Sequence, residues 1–188
     1  MLAGTAPVKL LAISGSPRAE STNTAMLECF SAYAPPGVSV TLYRGLADLP
    51  VFSPDREGDN TPDVVAEFVR AVGQADGIIL SSPEYVRGIP GGLKNAIDWL
   101  VSGDEIIAKP LVLVHASHRG EDMLAALRLV LSTVSQRFNV DHFLQFSLMS
   151  KTPDQVRQTL QAKDHAARIE RFLREFSRDI DRGGERKL

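Results

Sequence analysis

Short apolar runs alternate with helix-spaced apolar stripes along the whole chain, and that alternation most limits how it can fold. The run Val8–Ser14 (VKLLAIS) is apolar almost throughout and stops at Gly15. A strand covered on both faces reads this way, as inner strands of parallel sheets do. The next segment carries Met26, Cys29, Phe30 and Tyr33. That is the i, i+3, i+4, i+7 spacing of a helix with one buried stripe, and Pro35, Pro36 and Gly37 end it. Val38–Tyr43 alternates and predicts a strand nearer an edge. Arg44 to Asn60 is polar, with Pro50 and Pro54, and predicts a surface loop.

Thr61 is expected to cap a helix with Pro62 at its first position and Val65, Phe68, Val69 and Val72 inside. Asp76–Ser82 predicts the third strand, Pro83–Gly92 a loop, and Gly92–Ser102 a helix burying Leu93, Ala96, Ile97 and Leu100. Pro110–Ala116 predicts the fourth strand, and Glu121–Val134 a helix burying Met123, Leu124, Leu127 and Leu131. Asn139–Leu148 contains the fifth strand. One last helix is expected from near Pro153, carrying Ile169, Phe172, Leu173, Phe176 and Ile180. Five strands alternating with five helices predict an α/β doubly wound parallel sheet with right-handed crossovers. With no repeat and no boundary signal, residues 1–182 are expected to form one domain and 183–188 a flexible tail.

Composition narrows the function classes. The chain has 188 residues, 44% hydrophobic and 23% charged, with a net charge of −2. Nucleic acid and anionic membrane are not expected partners at this charge. Cys29 is the one cysteine, so no intrachain disulfide forms, which fits a cytoplasmic setting. The start has no signal-peptide layout, and the run Leu10–Ile13 is too short to cross a bilayer. His115, His118, His142 and His165 lack metal-ligand spacing, so no metal is expected. No G-x-S-x-G elbow supports a hydrolase nucleophile.

In a doubly wound sheet, ligands bind beyond the carboxyl ends of the strands where strand order reverses. The first loop there runs from Ser14 to Thr24 between a buried strand and a helix start. Helix starts offer unpaired N–H groups and partial positive charge to a phosphate. Ser16, Ser21, Thr22, Asn23 and Thr24 add short hydrogen-bonding groups, and Arg18 adds a fixed charge. The alternative is a plain Ser/Thr helix cap with Arg18 in solvent. No G-x-G-x-x-G follows a strand and no Gly-Lys-Ser/Thr occurs, so a single terminal phosphate suits the loop best. The third loop, from Ser82, combines three Gly with two Pro and fixes an unusual backbone path. Tyr85 supplies a flat wall. Lys94 and Trp99 in the helix that follows read equally as structural or functional.

Two motifs carry a resemblance. Gly15-Ser16-x-Arg18-x-x-Ser21-x-Asn23, with Pro83-Glu84-Tyr85 through Pro90-Gly91-x-Leu93-Lys94-Asn95-Ala96-x-Asp98-Trp99, resembles the NADPH-dependent FMN reductase family. The resemblance implies a flavodoxin-like fold: a doubly wound five-stranded parallel sheet, order 2-1-3-4-5, with helices on both faces. It implies FMN as cofactor, NADPH or NADH as co-substrate, and a small-molecule electron acceptor such as a quinone, free flavin, azo compound or metal oxyanion. By the family pattern Ser16, Arg18, Ser21 and Asn23 would hold the FMN phosphate, with Thr22 and Thr24 of the same loop as further cofactor-binding candidates. Pro83, Glu84, Tyr85, Val86, Arg87 and Gly88 would frame the flavin ring, joined by Ser117 and His118 from the fourth strand's end. No catalytic side chain is implied, because the flavin carries the chemistry. A homodimer or homotetramer is implied, with Phe52, Pro54 or the Arg87 region near the contact.

The chain departs from the family pattern at Val86 and Gly88, where many members carry Asn and Ser, and after Ala116, where a Gly-Gly pair is missing. The rival reading is a flavodoxin-like electron-transfer or flavin-binding module without substrate turnover of its own.

Overall fold

Each apolar run becomes a strand of one sheet. The strands are β1 (Val8–Ser14), β2 (Val38–Tyr43), β3 (Gly77–Ser81), β4 (Leu111–His115) and β5 (Phe138–Gln145). All pair in parallel in the order β2-β1-β3-β4-β5, as the resemblance implies. This computed structural model describes residues 6–184.

β3 and β4 are buried at every residue, because both faces of the sheet are covered. Leu11, Ile13, Ile78, Leu80, Leu111 and Leu113 point to one face, under α2 (Asp63–Gln74), α3 (Gly91–Asp98) and α4 (Glu121–Val134). Leu10, Ala12, Ile79, Val112 and Val114 point to the other, under α1 (Thr22–Ala32), α5 (Pro153–Leu160) and α6 (Lys163–Gly184). The period of two along each strand makes this division. The chain leaves β1 toward β2 on one side and returns to β3 on the other, so the switch point lies between the carboxyl ends of β1 and β3.

Several expectations need correction. The last helix is two helices, broken at Gln161 and Ala162. Leu160 and Ile169 are nine residues apart, which on one straight helix would put them about 180° apart. The break lets Val156, Leu160, Ile169 and Phe172 enter the same core. Thr61 does not cap α2. Its hydroxyl donates to Gly58 O at 2.8 Å, closing the turn before the helix, and Pro62 takes the cap position. Helix α3 ends at Asp98 rather than Ser102, tightening into i→i+3 bonds from Leu100 and Val101.

The Arg44–Asn60 segment is not wholly a surface loop. It forms short 3₁₀ turns at Leu46–Asp48, Pro54–Arg56 and Gly58–Asn60, and Leu46 and Leu49 are buried. At the other end, α6 continues to Gly184, into the stretch expected to be a tail, and 185–188 lie outside the described residues.

Candidate active site at the carboxyl rim of the sheet

The first loop is held by its own short side chains. Gly15 N–H donates to Ser81 O at 2.7 Å, which ties the loop to β3. A Cβ on Gly15 would sit 2.7 Å from Leu93 Cδ2, so a side chain there would have to push the buried Leu93 aside. Ser21 caps α1, its Oγ accepting from Thr24 N–H at 3.3 Å. The Thr24 hydroxyl donates to Ser14 Oγ at 2.9 Å, and the Ser81 hydroxyl to Asn23 Oδ1 at 2.7 Å.

These bonds decide what remains for a ligand. The N–H groups of Thr22 and Asn23 sit in the first turn of α1, where no helical acceptor exists. No acid stands in that turn to quench the helix dipole. Asn23 keeps its Nδ2 hydrogens. Ser16 is buried and its hydroxyl has no partner among the described residues. Arg18 is exposed on the loop and likewise unpaired there.

The third loop is a tight reverse turn. Tyr85 and Gly88 exchange both backbone bonds, at 3.1 and 3.0 Å, around Val86 and Arg87. Val86 and Arg87 lie at φ 50° and 59°, the left-handed pair of a type I′ turn. Arg87 Nε bonds Asp122 on α4, and that bond raises the guanidinium above its ordinary value. Glu84 also reaches α4, at Met123 N–H. The second half of the motif is structural. Asn95 accepts from Phe52 N–H at 2.8 Å and donates to Pro50 O at 2.9 Å, while Trp99 Nε1 donates to the same carbonyl at 2.8 Å. Lys94 pairs with Asp98 on the same helix. Neither Lys94 nor Trp99 lines the cavity at this rim.

These loops meet around a cavity of about 330 Å³. Thr22 and Asn23 come from the first loop, and Ser82, Pro83 and Glu84 from the third. His115, Ala116, Ser117, Arg119 and Gly120 close the side beyond β4, with Met149 and Ser150 beyond β5. Ser21 and Thr24 face a neighbouring hollow with Glu28, Asp154 and Arg157 instead. Ser16, Arg18 and the Tyr85–Gly88 turn do not line the cavity, and His118 is exposed outside it.

Sequence reasoning did not single out His115, Arg119, Met149 or Ser150. The signal was available, because in this fold every strand's carboxyl end faces the same rim, β5 included.

Residues 8–148 match the NADPH-dependent FMN reductase family. The chain is 33% identical over 115 residues to a quinone reductase of Escherichia coli, a stretch covering 60% of this chain and 61% of that protein. It is 35% identical over 112 residues to an NAD(P)H-dependent FMN reductase of Pseudomonas aeruginosa, covering 58% of this chain and 60% of the relative. The matched stretch thus spans about three fifths of these curated relatives. In fold, the chain superposes on FerB, a flavoenzyme NAD(P)H:(acceptor) oxidoreductase of Paracoccus denitrificans. The TM-score is 0.71 at 23% identity, covering 93% of this chain and 98% of that one. With the family's two motifs meeting at one rim of a 2-1-3-4-5 sheet and the match running from β1 past β5, the chain belongs to the NADPH-dependent FMN reductase family.

Proposed function

We propose that this protein binds FMN and passes two electrons from NAD(P)H to a small acceptor: a quinone, free flavin, azo compound or metal oxyanion. One observation carries the reading. An anion-ready helix start and the Ser82–Glu84 start of the third loop open onto one cavity at the switch point of the sheet. The quinone reductase of Escherichia coli and the NAD(P)H-dependent FMN reductase of Pseudomonas aeruginosa, as relatives, agree with it.

The residues present fit such a group. The free N–H groups of Thr22 and Asn23, the Ser16 hydroxyl and the Arg18 guanidinium suit a phosphate dianion. Ser21 and Thr24 hold the loop in shape, since their hydroxyl oxygens are engaged within it. Pro83, Glu84 and the Tyr85–Gly88 turn would border the ring, with Ser117 opposite and His118 further out. Bound FMN would supply hydride acceptance from the nicotinamide and its delivery onward. This chain's residues bind, orient and shield, and none needs to move a proton for hydride transfer.

Among the described residues, no helix is long and apolar enough to cross a membrane. A cytoplasmic homodimer or homotetramer fits this reading. Tyr85, Val86 and Met149 are exposed apolar side chains at or beside the cavity rim and suit a contact with a second copy.

The test is direct. Purified protein reconstituted with FMN should show a bound-flavin absorption spectrum and oxidise NAD(P)H when a quinone is added. Protein that takes up FMN but never turns over would be an electron-transfer module, and protein that takes up none would refute the reading.

A further inference from the structure

His115 lies at the end of β4, in the wall of the cavity, and is 2% exposed. Its Nε2 stands 2.6 Å from Arg119 O. A carbonyl only accepts, so Nε2 carries the proton and donates. In the neutral ring Nδ1 is then a lone pair, buried without a partner among the described residues. Such a group is a net burden on the core unless the imidazole does something an apolar side chain does not. What it does here is pin one carbonyl of the loop between β4 and α4.

That loop is where the family's Gly-Gly pair is missing. Its path depends on Gly120, which sits at φ 101° and packs directly over the imidazole. A Cβ at Gly120 would come within 3.1 Å of His115 Nε2. Ser117 closes the other side of the turn, its Oγ accepting from Arg119 N–H at 2.9 Å. Arg119 is therefore held at both backbone polar groups, by His115 through its carbonyl and by Ser117 through its N–H. Ser117, Arg119 and Gly120 all line the cavity.

We propose that His115 is a positioning residue for the flavin. By fixing Arg119 O it holds the β4–α4 loop in the shape that borders the ring. The inference rests on the proposed FMN site.

The experiment compares apo wild type, His115→Leu, His115→Gln and His115→Asn. FMN affinity is measured by fluorescence titration, the ring environment by visible circular dichroism, and stability by thermal melting. Gln extends a donor to the place of Nε2, whereas Asn places it nearer Nδ1 and falls short of Arg119 O. His115→Leu removes the unpaired nitrogen, so its melting point should stay level or rise. Its FMN affinity should still fall about five- to tenfold, the worth of one lost buried hydrogen bond, with an altered flavin dichroism. Gln should restore most of both and Asn should not.

Equal affinity and equal dichroism across the variants would overturn the positioning role while leaving the FMN site standing. Should Leu fail to fold, the Gln–Asn pair decides in the same way. Wild type that binds no FMN would overturn both the proposed site and this inference.

Discussion

Glu84 Oε2 accepts the backbone N–H of Met123 at 3.1 Å, so the loop after β3 caps the helix after β4. The cap position of α4 is Gly120, which has no side chain to do this. Glu84 fills that role from 39 residues away and joins two walls of the cavity. Glu84→Ala should cost about 1 kcal/mol, as for a lost helix cap, and should weaken FMN binding as well. Urea denaturation with and without FMN measures both. Unchanged stability would mean the cap carries nothing.

Val86 is a β-branched residue at φ 50°, fully exposed at the turn tip. Type I′ turns favour Asn and Gly at such positions, and left-handed non-glycine residues carry strain on the order of 1–3 kcal/mol. Val86→Asn, the residue many family members carry, should raise stability by about 1 kcal/mol. A thermal melt that stays put or falls would argue against the strained turn.

Arg18 is exposed and has no partner among the described residues, which suits a screened contact to a phosphate. Arg18→Ala should weaken FMN binding about fivefold, less at high salt. Riboflavin, which lacks the phosphate, should bind both proteins alike. An equal loss for both flavins would move Arg18 away from the phosphate.

Asn95 joins α3 to the segment around Pro50 through both ends of its amide. Asn95→Ala should destabilise the fold by about 2 kcal/mol, because it leaves Phe52 N–H unsatisfied and removes one of the two bonds to Pro50 O. FMN affinity of the folded fraction should hold, since Asn95 does not line the cavity. A variant that stays stable but loses FMN would reverse this assignment.

Burial raises the Cys29 thiol above its ordinary value of 9.0. The unfolded chain therefore gives up this proton first as pH climbs past 9.0. The associated stability is full below that pH and declines above it. Cys29→Ala should flatten that part of the stability–pH curve. Below pH 9.0 the native thiol should react with a maleimide only as fast as the core opens.

The resemblance named two loops and left their internal division of labour unread. Ser21, Asn23 and Thr24 all look like ligand groups in the sequence, yet bonds within the fold engage one oxygen of each. Lys94, Asn95 and Trp99 sit in the same motif as Glu84, yet they fasten a different loop or their own helix. The break between α5 and α6 was legible in principle, since Leu160 and Ile169 are out of helical phase. The bond from His115 to Arg119 O was not, because a histidine at a strand's end looks the same whether or not a carbonyl waits above it.

Periodicity determined the sheet, its two covered faces and the rim where loops gather, because burial acts on each strand and helix through its own repeat. The tertiary structure alone decided which donors stay free and which residues act as clamps. Those outcomes depend on groups brought together across long stretches of chain, such as Glu84 with Met123 and Asn95 with Pro50. A hydrogen bond exists only where a specific donor and acceptor come within reach, and no local pattern records that distance.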